Sequence, residues 1–128
     1  MPLVTLTVAK PKSAEFKSGV LAAVHGALVA SGVPAADRFQ RVLELAPEDF
    51  RFDPAYPDLA RPRDANFALV EILFSEGRSV KVKKKIVADI LAALTAPPLS
   101  LDAEHVMICF KETRWENWVF GGGRFIHA

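Results

Sequence analysis

The chain has 128 residues, 51% of them hydrophobic, with 16 basic and 15 acidic side chains and a formal net charge of +1. That length fits one domain or one tight pair of half-domains with a sizeable core, and the near balance of charge gives no electrostatic footprint for nucleic acid and no acidic tail. No apolar run is long enough to span a membrane and the N-terminal residues show no positive-then-apolar pattern, so no leader and a cytoplasmic location are the expectation; the lone cysteine, Cys109, excludes an internal disulfide and a cysteine-based zinc site.

The chain opens Met1-Pro2 and runs directly into alternating residues, Leu3 to Ala9, with Val4, Leu6 and Val8 on one face. That pattern predicts a strand with one apolar side. Pro11 breaks it and Ser13 is placed to cap a helix. From Ala14 to Ala30 the period is helical, with one stripe from Phe16, Val20, Ala23, Val24 and Ala27 and a second from Leu21, Leu28 and Val29. Such a helix is expected to be covered on more than one side. Gly32-Val33-Pro34 ends it, and Phe39 to Leu45 reads as a second strand.

Residues 47–66 hold Pro47, Pro54, Pro57 and Pro62 beside Phe50, Phe52 and Tyr56, a long loop whose aromatics should pack on something. Phe67 to Phe74 is apolar apart from Glu71, which suits a strand buried on both faces. Ser79 is placed to cap a helix from Val80 to about Thr95, with Val82, Ile86, Ile90, Ala93 and Leu94 inward. Lys81, Lys83, Lys84 and Lys85 read as a solvated face. Pro97-Pro98 stops this helix. His105 to Glu112 is a fourth strand, and the aromatic, glycine-rich segment from Asn117 to Phe125 suggests a short hairpin or arm. In this strand Cys109 is expected to be a small buried hydrophobe.

The order strand, helix, strand, loop, strand, helix, strand repeats at about 65 residues, so residues 1–46 and 67–112 read as two βαβ units, joined by loop 47–66 and followed by arm 113–128. The fold class is α+β: a four-stranded sheet with both helices on one face, in one domain over 1–128. The other sheet face would be bare in a monomer, which predicts a closed symmetric oligomer.

Pro2 carries the chemistry. A small second residue normally lets the initiator methionine be trimmed, which leaves a secondary amine at a strand start. An α-amine titrates at about 7.7–8.0 in water, and apolar surroundings lower that value, so it can serve as a base or nucleophile near neutrality. The plain alternative is an ordinary N-terminal strand.

With Pro2, the two βαβ halves, Gly32-Val33-Pro34-Ala35-Ala36-Asp37-Arg38-Phe39-Gln40, Gly77-Arg78-Ser79 and Glu116-Asn117-Trp118-Val119-Phe120-Gly121, the chain resembles the tautomerase superfamily (oxalocrotonate tautomerase-like). Within it the sequence looks most like the malonate semialdehyde decarboxylase branch and related tautomerase-like proteins. The resemblance implies a homotrimer and no cofactor, with Pro2 as general base in keto–enol chemistry on a small 2-oxo acid of phenylpyruvate type. Arg78 would bind the substrate carboxylate, for which a planar guanidinium is suited. Trp118 and Phe120 would wall the pocket, and His25 matches a histidine that one branch uses near substrate. Asp37 aligns with the acid that the decarboxylase branch uses to activate water, in which case Pro2 is cationic and the reaction is decarboxylation or hydration. The decarboxylase and dehalogenase branches carry a second arginine shortly before Arg78. Here Ser75 and Glu76 stand in that region, and Arg61 or Arg63 is a possible substitute. A non-catalytic oligomeric module that binds a small acid or a protein is the alternative from another class. His105 and His127 have no partner spacing for a metal, so none is expected.

Overall fold

The computed structural model describes residues 2–126. The expectations that concern Met1 and His127 lie outside these residues. Six main elements follow in order: β1 (Leu3–Ala9), α1 (Ala14–Ala30), β2 (Phe39–Leu45), β3 (Ala68–Ser75), α2 (Val80–Thr95) and β4 (Val106–Thr113). Both long helices start at serine caps. Ser13 Oγ accepts from the Phe16 N–H at 3.0 Å, and Ser79 Oγ accepts from the Val82 N–H at 3.2 Å. Each cap satisfies a donor that a helix start otherwise leaves open.

The sheet order is β2-β1-β3-β4. β1 and β2 are parallel, β3 and β4 are parallel, and the two pairs meet antiparallel through β1 and β3. Each pair is thus a βαβ unit, and the two units are related by an approximate two-fold axis normal to the sheet. Val4, Leu6 and Val8 of β1 and Ala68, Val70, Ile72 and Phe74 of β3 point at the helices, where they pack with Val20, Val24 and Leu28 of α1 and Ile86, Ile90 and Leu94 of α2. Burying each larger aliphatic side chain contributes about 1.5–3 kcal/mol, so this layer is the main source of stability.

The opposite sheet face has no cover within the chain. Phe39, Leu43 and Met107 are each close to half exposed there. Two expectations fail on this face for one reason. β3 is buried on its helix side only, with Leu69, Glu71 and Leu73 partly open, and Cys109 is exposed rather than buried. Cys109 pairs with Glu71 in the register and therefore faces away from the helices. Likewise α1 buries one stripe, Val20, Val24, Ala27 and Leu28, while Leu21 and Val29 are half covered, and Ala93 of α2 is exposed. The lysine run is mostly solvated; Lys83 pairs with Glu112 and Lys85 with Asp89. No described helix is long and apolar enough to cross a membrane.

Candidate active site

Pro2 is buried at the entrance to β1. Proline has no N–H to give a ladder, so the first position of an interior strand is a place it fits. The register fixes its neighbours: Leu3 pairs with Phe39 on one side and with Leu73 on the other. The start of β1 thus shares its end of the sheet with the start of β2 and the ends of β3 and β4. Three connecting segments converge there: the turn before β2, the turn from Ser75 to Ser79, and the C-terminal arm.

The arm builds a wall over Pro2. Asn117 Nδ2 donates to Thr113 Oγ1 at 2.7 Å, and Trp115 Nε1 donates to the Glu76 carbonyl at 3.1 Å. The chain then bends back, with Val119 bridging antiparallel to Phe125. Trp118 stacks on Phe120 at 5.8 Å between ring centres, and Phe120 meets Phe39 at 5.5 Å. A cavity of about 210 Å³ results, lined by Pro2, Leu3, Phe39, Trp118, Val119 and Phe120. Its lining side chains are apolar or aromatic, surroundings that disfavour the charged form of a titratable group placed there.

Arg78 sits in the turn between β3 and α2. Gly77 before it has φ of +115°, a conformation that costs any residue with a Cβ, so the turn depends on that glycine. The guanidinium lies 4.3 Å above the Phe74 ring and donates through Nη1 to the Ser75 carbonyl at 3.1 Å. Among the described residues that is its only hydrogen bond, which leaves most of its fork for an anion. Burial pulls its pKa down, while the carboxylates of Glu112 and Asp37 act in the opposite sense. Glu112 is itself held below the ordinary carboxylate range, chiefly by Lys83 Nζ at 2.6 Å. Asp37 and Arg78 are therefore close enough to interact, at the same end of the sheet as Pro2.

The remaining candidates fall elsewhere. His25 Nε2 lies 2.9 Å from the Ala35 carbonyl, so this half-buried side chain ties α1 to the turn that carries Asp37 and does not line the Pro2 cavity. Neither loop arginine replaces the missing second cation within the chain. The loop leaves the far end of β2 and enters the far end of β3, a full strand length from Pro2. There Arg61 forks onto Asp102 at 2.6 and 2.8 Å, and Arg63 donates to the Asp53 and Tyr56 carbonyls. Leu3, Phe39 and Val119 were given no site role from the sequence, although Phe39 and Val119 lie in segments that carry the resemblance. Phe39 had a signal: as the first residue of β2 it lies on the face opposite Val42 and beside the Pro2 strand.

The family profile described as "Tautomerase enzyme" matches residues 37–121. The chain belongs to that tautomerase family. The curated relative named Probable tautomerase YusQ, from Bacillus subtilis (strain 168), is 23% identical over 125 residues, covering 97% of this chain and 96% of its own. Among solved structures, FG41 malonate semialdehyde decarboxylase inhibited by 3-bromopropiolate is 27% identical with a TM-score of 0.85, covering 95% of this chain and 91% of that one. A malonate semialdehyde decarboxylase whose structures are described as a basis for decarboxylase and hydratase activities is 25% identical with a TM-score of 0.86, over 95% and 92% of the two chains. A fused 4-OT wild-type symmetric trimer shares the fold, at 21% identity and a TM-score of 0.74 over 96% of this chain and 94% of that one. The tautomerase fold of two βαβ units on a four-stranded sheet is thus shared across these neighbours.

Proposed function

We propose that this tautomerase-family enzyme interconverts the enol and keto forms of a small 2-oxo acid with an apolar or aromatic body, without a cofactor. The observation that carries the reading is Pro2, buried at a strand entrance in a cavity walled by Phe39, Trp118 and Phe120. With Met1 removed, the Pro2 nitrogen is a secondary amine in apolar surroundings, whose neutral form takes a proton from the enol oxygen or the α-carbon and returns it at the other atom. The Arg78 fork anchors the substrate carboxylate, and the rings hold its body. The bare sheet face, with Leu43 half exposed, supports assembly into an oligomer, and the trimeric fused 4-OT that shares the fold makes a homotrimer the form proposed. The test is ketonisation of phenylpyruvate enol by wild type and Pro2→Ala, on protein whose intact mass shows Met1 removed. A loss of about two orders of magnitude in kcat is expected, the usual scale for removing a general base. Activity within a few fold of wild type would exclude Pro2 as the base.

A second reading has its own support. Asp37 lies near enough to Arg78 to act on its pKa, and two malonate semialdehyde decarboxylases are among the structural relatives. In that reading Pro2 is cationic, Asp37 orients a water, and the reaction is decarboxylation or hydration of a three-carbon oxo acid. The two differ in the sign of the pH dependence: a catalytic base fails below its pKa and a catalytic acid fails above it.

A further inference from the structure

We propose that the cavity at the opposite end of the sheet is a second ligand site, which binds a small apolar or aromatic carboxylate without turning it over. The internal symmetry points to it. The antiparallel contact of β1 with β3 relates the start of β1 to the start of β3. The helix caps Ser13 and Ser79 and the inward residues Val20, Val24 and Leu28 against Ile86, Ile90 and Leu94 set the offset between the halves at 66 residues, so Ala68 stands where Pro2 stands, with Phe67 just before it. Met107 near the start of β4 corresponds to the start of β2, and the loop after β2 corresponds to the arm after β4. The loop borders an open cavity of about 400 Å³ whose lining includes Phe52, Asp53, Tyr56, Arg63, Phe67 and Met107. Its rings form a cluster, with Phe52 and Phe67 4.5 Å apart and Phe50 stacked on Phe67 at 5.4 Å.

Arg63 supplies the recognition. Its guanidinium lies 5.4 Å from the centre of the Phe67 ring. One corner is committed to the loop: Nη1 donates to the Asp53 carbonyl at 2.8 Å and the Tyr56 carbonyl at 2.6 Å. The other edge is not. Nε is buried with no hydrogen-bond partner, and Nη2 donates to nothing among the described residues. That Nε–Nη2 edge is the one a carboxylate takes with two parallel hydrogen bonds. A buried charged donor without an acceptor is costly, so an acceptor that comes with an apolar body is favoured twice. The Asp53 carboxylate, which also lines the cavity, feels the Arg63 charge but makes no hydrogen bond to it among the described residues; its Oδ2 accepts from the Ala55 and Tyr56 N–H groups at 2.9 and 2.7 Å. Ala68, an ordinary peptide residue at the position equivalent to Pro2, supplies no amine, so this end lacks the group that moves a proton in the proposed reaction, and the ligand is held and not converted.

The site is independent of the proposed catalysis and is tested apart from it. Met107 is the sole methionine besides Met1, and it lines the cavity, so its labelled methyl is a single NMR reporter. Titration of the wild type with phenylacetate should move that resonance saturably, and 2-phenylethanol, alike in shape but uncharged, should bind at least about tenfold more weakly, as loss of a charge-assisted pair requires. The phenylacetate shift should persist in Pro2→Ala and Arg78→Leu and weaken about as much in Arg63→Leu, substitutions that add no second methionine methyl. Equal binding of the two ligands to wild type overturns the carboxylate site, whatever the Arg63 variant does to its loop. No shift with phenylacetate overturns it as well, and is the result if a neighbouring copy covers the cavity.

Discussion

Replacing Arg78 by methionine separates anchoring from chemistry. The guanidinium spends one donor on the Ser75 carbonyl at 3.1 Å and keeps the rest for substrate. A hydrogen bond to a charged group is worth about 1.5–3 kcal/mol, so losing the substrate carboxylate contact should lower kcat/KM roughly 10- to 150-fold at 1.36 kcal/mol per decade. The carboxylate is present before and after enolisation, so the interaction is made equally in ground and transition states and the loss should fall mainly on KM. Stability should change less. The 4.3 Å contact with Phe74 is lost, but a methionine thioether also packs on a ring. A net cost below about 1 kcal/mol is expected, a fall in Tm of about 4 °C or less. The assay is phenylpyruvate enol ketonisation with kcat and KM measured separately, beside a thermal melt. Arg78→Lys should lie between wild type and methionine, since it keeps the charge and loses the fork. A KM within twofold of wild type in Arg78→Met, or a loss confined to kcat, would refute the assignment.

Other substitutions probe the supporting structure. Gly77→Ala meets no steric obstacle, because a Cβ there contacts nothing within 4 Å; its cost is the φ of +115°, about 1–2 kcal/mol, and an unchanged Tm would show that the turn before Arg78 does not depend on glycine. Ser79→Ala should cost about 1 kcal/mol through the lost α2 cap, read as a lower urea midpoint with little change in kcat. The Asp102 carboxyl is held well below its usual range, first by the Arg61 fork and then by the Glu104 N–H. A depressed carboxylate adds stability above its unfolded pKa of about 3.9, and that stability is lost as pH falls through the folded value. Arg61→Gln should therefore be less stable than wild type at neutral pH and converge with it in strong acid; a difference that persists in acid would mean the pair is not its source.

The fold was legible where residue pattern and local geometry agree. The alternation of Val4, Leu6 and Val8 and the serines at 13 and 79 mark a strand and two helix starts that match the fold to the residue. Cys109 and the outer face of β3 were misjudged because apolarity in sequence does not say which layer covers a residue. Leu69 and Leu73 are as apolar as Val70 and Ile72, yet only the latter meet a helix of the same chain. The candidate site was legible at Pro2, Trp118 and Phe120, which share one cavity. Phe39 joins them through a strand register that no local pattern encodes. Arg61 and Arg63 were indistinguishable in sequence from anchors for the first site, since a proline-rich loop has no period to say which end of the sheet it serves.

The two-fold arrangement also bears on how the chain could be divided. The halves meet through six residue pairs between β1 and β3 and through side chains of α1 and α2 in a common core, while the covalent link between them runs through an exposed stretch such as 53–58. The interface, rather than the peptide bond, carries their association. Cleavage in that stretch would leave each fragment a whole strand–helix–strand unit with its own capped helix and a complementary sheet edge to pair with. Two separately made fragments should then find each other in solution and restore the Pro2 cavity, because its lining, Pro2 and Phe39 from the first fragment and Trp118 and Phe120 from the second, is already divided between the two halves.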